Sequence, residues 1–236
     1  MNVFSFCLYG PRNPYYYTGL LENIALAGHY FPTWKVFVYY GSDVDEEMLA
    51  HLRACTSVVL RATGVLGPAN MIHRFYAIDE DDVDLMMVRD ADSRIHWKDR
   101  WAIREFVRQP RFVAHTIRDN KEHTARMMGG LWGIRKSAGL NIHEQYASYK
   151  DDESAGRRWG HDQNFLSDVI YPQVVHRLLV HYSNGRLKIG ETAVEFPFAW
   201  TNDVYCGRCE LRFVDNPEPP PTTAPWILPF LNTYTR

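Results

Sequence analysis

Leu85-Met86-Met87-Val88-Arg89-Asp90-Ala91-Asp92 places two aspartates, two positions apart, just beyond four consecutive apolar residues. An apolar run of that length reads as a strand covered on both faces, which is the habit of parallel sheets. If the backbone stays extended past the strand, side chains two apart point the same way, and Asp90 and Asp92 face one site. Ligands of open α/β sheets gather beyond the carboxyl ends of the strands, where this pair lies. Two hard oxygen ligands suit magnesium or manganese, with phosphate oxygens and water completing the shell. A solvated acidic loop is the plainer alternative, since residues 79–84 are acidic as well.

Upstream, Val3 to Leu8 reads as a first strand, followed by a helix over Tyr15 to Ala27, where Leu20, Ile24 and Ala27 recur at helical spacing. Trp34 to Tyr40 is a second strand, and Asp43 to Glu47 opens a helix ending near Arg53, since acidic side chains suit a helix N-terminus. Ser57 to Leu60 is a short third strand and Ala69 to Ile78 a helix. Downstream, Lys98 to Arg108 is a helix and Arg111 to Thr116 a strand. The alternation predicts an α/β fold whose central sheet is mixed, mostly parallel and flanked by helices.

The second half is less regular. Ala125 to Arg135 reads as strand and turn, Asp162 to Val169 as a helix, and Val174 to Tyr182 mixes apolar residues with His176 and His181. Six of the 13 prolines fall in the last twenty residues, so residues 1–215 are expected to form one domain and 216–236 a proline-rich tail.

With 236 residues, 46% hydrophobic and 23% charged, the chain suits one globular domain. A net charge of -2 gives no reason to expect a nucleic-acid partner. Neither a signal peptide nor a transmembrane segment is expected, and the four cysteines are too few for a disulfide scaffold, which implies a reducing, cytoplasmic setting. Cys206 and Cys209 form a lone C-x-x-C, a weak zinc or redox signal that two ordinary thiols would also produce.

Several other residues could carry chemistry. His181, before a polar turn, is a candidate third metal ligand. Asp162, in Trp159-Gly160-His161-Asp162-Gln163, could take a proton from a hydroxyl, stabilise positive charge, or simply cap its helix. Gly130 could let backbone approach a ligand closely, and Trp132 could stack on a sugar or sit in the core. Arg12, Arg74, Arg89, Arg94 and Lys136 are candidate diphosphate partners, Arg89 foremost because it adjoins the carboxylate pair. Neither G-x-x-x-x-G-K-[ST] nor a G-x-G-x-x-G after the first strand is present, which argues against a phosphate-loop ATPase and a nicotinamide enzyme.

In order, the segments Phe4 to Ala27, R-F-Y-A-I-D (Arg74 to Asp79), V-R-D-A-D-S-R (Val88 to Arg94), His115 to His123, M-G-G-L-W-G-I-R-K (Met128 to Lys136) and G-H-D-Q-N-F-L (Gly160 to Leu166) resemble the GT-A-fold glycosyltransferases. Within these the chain is similar to small virus-encoded members from large DNA viruses of chlorella-like algae, over roughly residues 1–205. The resemblance implies a GT-A-like single domain that transfers a hexose or deoxyhexose from a nucleotide-diphosphate sugar, UDP favoured, to a hydroxyl of a glycan or glycoprotein acceptor. It further implies Mn2+ (or Mg2+) held by Asp90, Asp92 and His181, and the base and ribose held by Leu8, Tyr9, Gly10 and Arg12 with Tyr17 nearby. Arg74, Asp90, Gly130 and Trp132 would complete the donor site, with Asp162 and Arg89 as catalytic groups. Inverting and retaining outcomes both remain open. A homodimer and the host cytoplasm, if the chain is virus-encoded, complete the expectation. A sugar-phosphate nucleotidyltransferase and an inactive carbohydrate-binding module are the rival readings; the first would carry a glycine-, arginine- and lysine-rich loop where Gly10, Pro11 and tyrosines stand.

Overall fold

The computed structural model describes residues 1–150, 160–183, 187–198 and 204–209. The proline-rich tail and Trp159 lie outside the described residues. Eight strands form one sheet in the order β3-β2-β1-β4-β6-β5-β7-β8. They are β1 (Asn2–Leu8), β2 (Lys35–Tyr40), β3 (Val58–Ala62), β4 (Leu85–Arg89), β5 (Ala114–Arg118), β6 (Leu131–Arg135), β7 (Leu178–Tyr182) and β8 (Thr192–Glu195). β6 alone runs antiparallel, to both β4 and β5; the other pairings are parallel. The sheet is therefore mixed and mostly parallel, as the strand–helix alternation requires.

Helices α1 (Pro14–Tyr30), α2 (Glu46–Ala54) and α3 (Trp97–Val107) cover one face, where Leu20, Ile24, Leu52, Ile103 and Phe106 pack with Phe4, Phe6 and Met87. The other face holds the segment Gly67–Asp79, helix α4 (Ile142–Ser148) and the run from α5 (His161–Phe165) to α6 (Tyr171–Val174). Gly67–Asp79 is wound as 3-10 rather than α-helix, with Pro68 at its start, and its Phe75 and Ile78 pack with Val88 and Trp132. α4 and β8 were not legible in the sequence, being short and without sustained periodicity.

The antiparallel β6 matters for the site. Arg89 at the end of β4 pairs with Leu131 at the start of β6, so Gly129 and Gly130 arrive beside Asp90. On the opposite face α1 holds the chain after β4. A Cβ at Gly19 would overlap the Ala91 carbonyl oxygen and lie 2.6 Å from Arg94 Nη1, so the helix approaches the loop along a line only glycine allows. One turn on, the buried Asn23 donates to the Ser93 carbonyl at 2.6 Å and accepts from the Ile95 N–H at 2.9 Å. Replacing it by alanine strands two buried backbone groups, at about 1–3 kcal/mol for each group left without a partner. Asn23→Ala is expected to lower unfolding free energy by about 2 kcal/mol or more in urea titrations; an unchanged midpoint would show that the loop does not need the clamp.

Candidate functional site

A cavity of about 350 Å³ opens at the carboxyl end of β4, and Arg74, Asp90, His123, Gly130 and Asp162 are among the residues lining it. Its centre is Arg74, 5% exposed, contributed by the 3-10 segment. One nitrogen, Nη2, lies 2.8 Å from Asp162 Oδ2 and 3.1 Å from Asp90 Oδ1, while Nη1 donates to Cys7 Sγ at 3.2 Å. Two carboxylates from distant parts of the chain thus share one buried guanidinium. The Cys7 thiol is pushed up by burial, partly offset by the Arg74 charge.

Asp162 stands in the first turn of α5, entered through Gly160 at φ 96°. Its Oδ1 accepts the Gln163 N–H at 2.9 Å, so both oxygens are engaged. Asp90 lies against the β6 entry: a Cβ at Gly130 would overlap its carboxylate, and any larger residue there would displace it. His123 accepts the Asp119 N–H on Nδ1 at 3.1 Å, which leaves its proton on Nε2. The resemblance reaches His123 only as the end of the segment His115 to His123, whose Arg118 to His123 it implies on the sugar side; it gives the histidine itself no role.

The first-strand loop forms a neighbouring polar region. Asn70, missed in sequence, donates to the Leu8 and Tyr39 carbonyls at 3.1 Å each, and Tyr17, buried, donates to the Gly10 carbonyl at 3.2 Å. Burial alone would raise the Asp43 carboxyl, but backbone N–H groups of Gly10 and Gly67 outweigh it and hold it below the usual range. Tyr9 is half-buried, and Arg12 reaches outward to Glu47 at 3.2 Å.

The structure places four of the expected site residues outside the cavity lining. The chain turns after β4, with Ser93 N–H on the Asp90 carbonyl at 3.3 Å, so Asp92 does not share the cavity lining with Asp90. The two remain close, because burial first and then the Asp90 charge raise the Asp92 carboxyl. Arg89 sits on the opposite face of β4, 1% exposed, with Nε and Nη2 each 2.9 Å from Asp99 Oδ1 on α3. Strand alternation turns it away from the cavity that Asp90 faces. His181 is fully buried in β7, sharing a 2.8 Å hydrogen bond with His115 and lying edge-on to Trp101, so the structure does not bring it to Asp90. Trp132 is fully buried on β6 with its ring edge-on to Phe75 at 5.0 Å, a core contact rather than a sugar platform.

Asp90 fits a divalent cation that arrives with phosphate. Its side chain is 43% exposed, it offers hard oxygens, and the charge it imposes on Asp92 is the kind a cation would relieve. Among the described residues no third protein ligand converges there. A separate buried trio, His96, Asp99 and Cys206, has the right ligand types within 4.8 Å. However, His96 Nδ1 accepts the Lys98 N–H at 3.1 Å, so Nε2 keeps its proton and has no lone pair for a metal. The C-x-x-C loop instead forms cavity wall: Gly207 lines it, the Arg208 carbonyl accepts the Arg94 N–H at 2.9 Å, and the Cys206 N–H reaches Asp119 Oδ2 at 2.9 Å.

No protein-family model matches the sequence, and no curated protein matches it in sequence. The similarity lies in solved structures. A Staphylococcus aureus TarS fragment (residues 1–349) in complex with UDP matches at TM-score 0.52 and 12% identity, over 83% of this chain and 60% of that one. A mannosyltransferase from Pyrobaculum calidifontis in complex with GDP-Man and Mn2+ matches at TM-score 0.51 and 14% identity, over 78% and 55%. The domain is GT-A-like. A glycosyltransferase involved in glycosylating the major capsid of PBCV-1 also matches, at TM-score 0.49 and 16% identity over 77% and 81%. This chain therefore spans little more than half the length of the TarS fragment and the mannosyltransferase.

The buried histidines predict a pH response. Burial holds His181 down to about 3 and His123 down to about 4; it pushes His115 well below its usual value, with the His181 and Arg89 charges adding. Near pH 5 the unfolded chain protonates all three while the folded one does not, so stability falls as pH drops from about 6.5 towards 4. Urea titrations between pH 6 and 5 are expected to show uptake of about three protons on unfolding, and His123→Gln to remove about one of them. A free energy flat across that range would contradict the buried, neutral assignment.

Proposed function

We propose that this chain is a metal-dependent glycosyltransferase that moves a sugar from a nucleotide-diphosphate donor to a hydroxyl of a glycan or glycoprotein acceptor. The observation that carries the reading is the pairing of Asp90 and Asp162 across the buried Arg74, in a cavity at the carboxyl end of β4. The GT-A-like fold supports it, and two structures of that fold were solved with UDP or with GDP-Man and Mn2+.

Asp90, with Asp92 close behind it, would hold the cation. Bound there with the donor, Mn2+ or Mg2+ would offset the negative charge that grows on the diphosphate as the sugar bond breaks. Arg74 orients both carboxylates and keeps positive charge beside the departing phosphate. Asp162 faces the reacting sugar. With Oδ2 on Arg74 and Oδ1 on a backbone N–H, it is better arranged to stabilise positive charge on the ring than to take the acceptor's proton. His123, its Nε2 proton directed by the Asp119 N–H bond, supplies a hydrogen-bond donor among the cavity-lining groups. Leu8, Tyr9 and Gly10 would receive the nucleoside, with UDP favoured by resemblance and a hexose or deoxyhexose as the transferred sugar.

Calorimetry with Mn2+ and a panel of UDP- and GDP-sugars tests this. One nucleotide should bind only with metal, and Asp90→Asn should weaken it about tenfold or more. Asp162→Asn should keep binding within a few-fold but lower turnover by about 10²–10⁴. No metal-dependent binding of any nucleotide sugar to the folded protein would remove the reading.

A further inference from the structure

A second cavity, about 530 Å³, runs along the outer face of α3. Helical spacing explains its composition. Trp97 and Trp101 are four apart, and Arg100, Arg104 and Arg108 follow at intervals of four, so all five occupy one arc, with Lys98, Ala102, Ile103 and Phe106 on the buried side. The guanidinium row spans roughly 12 Å. Its floor is aromatic: Phe198 stands edge-on to Trp97 at 4.5 Å and to Trp101 at 5.7 Å, and Trp101 also meets Phe196. Glu105, the one acidic lining residue, is engaged by Gln109 at 2.7 Å, and Arg104 and Arg108 form no ion pair among the described residues.

We propose that this groove binds an oligosaccharide bearing acidic groups, carboxylate or phosphate. The proposal rests on the glycosyltransferase reading, and the occupant is an anionic stretch of the acceptor glycan. Sugar rings lie well on indole faces, and arginine forks pair with carboxylates and phosphates in two-point fashion. Trp97 and Trp101 each pack inward, on the core beneath α3 and on the cluster around Ile117 and Phe196, yet both stay only half-buried and keep surface for the groove. The shape favours a chain over a bilayer: the aromatics form the floor and the charges the rim, whereas a face that enters lipid has its apolar groups outermost. The groove begins seven residues after Asp90, at the first turn of α3, the helix whose Asp99 also holds Arg89 beside Asp90.

The experiment is a titration of the full chain with a galacturonate hexamer, a phosphorylated mannan oligomer and maltohexaose as the neutral control. An acidic oligomer is expected to bind with an affinity that falls as salt rises, while maltohexaose binds at least about tenfold more weakly. The doubly substituted Arg104→Ser/Arg108→Ser protein should weaken the acidic oligomer about tenfold or more and leave the melting temperature and nucleotide binding unchanged. The galacturonate and phosphomannan arms distinguish carboxylate from phosphate. Equal binding of maltohexaose, no loss in the double variant, binding only to anionic phospholipid vesicles, or equal binding of a charge-matched polyglutamate peptide would each overturn the proposal. Nucleotide binding read on the same samples separates failure of the groove from failure of the donor site.

Discussion

One buried guanidinium organises the cavity at the carboxyl end of β4. Arg74 brings together Cys7 from the first strand, Asp90 from the end of β4 and Asp162 from α5, three points that are remote in sequence. A buried cation is tolerable only if its charge is matched, and two carboxylates provide that match. The same arrangement keeps the carboxylates from being an unpaired like-charge couple. Removing the arginine would leave both acids facing each other across a partly dry cavity, so the site's geometry and its electrostatics share one origin.

The surrounding fold is built to present that triad. Antiparallel β6 delivers Gly130 against the Asp90 carboxylate, and α1 grips the following loop through Gly19 and Asn23. On the far face Arg89 pairs with Asp99, which also closes the capping box of α3 with His96. A single strand end thus sends one charged side chain into the cavity and its neighbour into the support for the helix. The histidine pair and the α3 groove lie on that same supporting face, at a remove from the Arg74 cavity.

Much of the architecture was readable because strand and helix periods are local properties. The first four strands and the three helices of the α1 side come within a few residues of their expected positions, since each carries a long or strongly apolar pattern. The helix expected over Ala69 to Ile78 is present as the 3-10 segment Gly67–Asp79; residue spacing alone does not separate 3-10 from α winding over so short a span. Asp162, Gly130 and His123 line the cavity; Asn23 and His123 lie within resembling segments without a role of their own, and Asn70 carries no motif and emerges only from its partners.

By itself the sequence determined that an acidic pair follows a buried strand in a mostly parallel α/β sheet. The tertiary structure decided which charged groups meet. Asp92 stands behind Asp90 rather than in the cavity lining because the chain turns directly after β4, and Arg89 is turned away because adjacent strand residues point to opposite faces. His181 is withdrawn because β7 is an interior strand whose ring position is filled by His115 and Trp101. Periodicity tells a residue which face it occupies; only the packing of distant elements tells it what stands opposite.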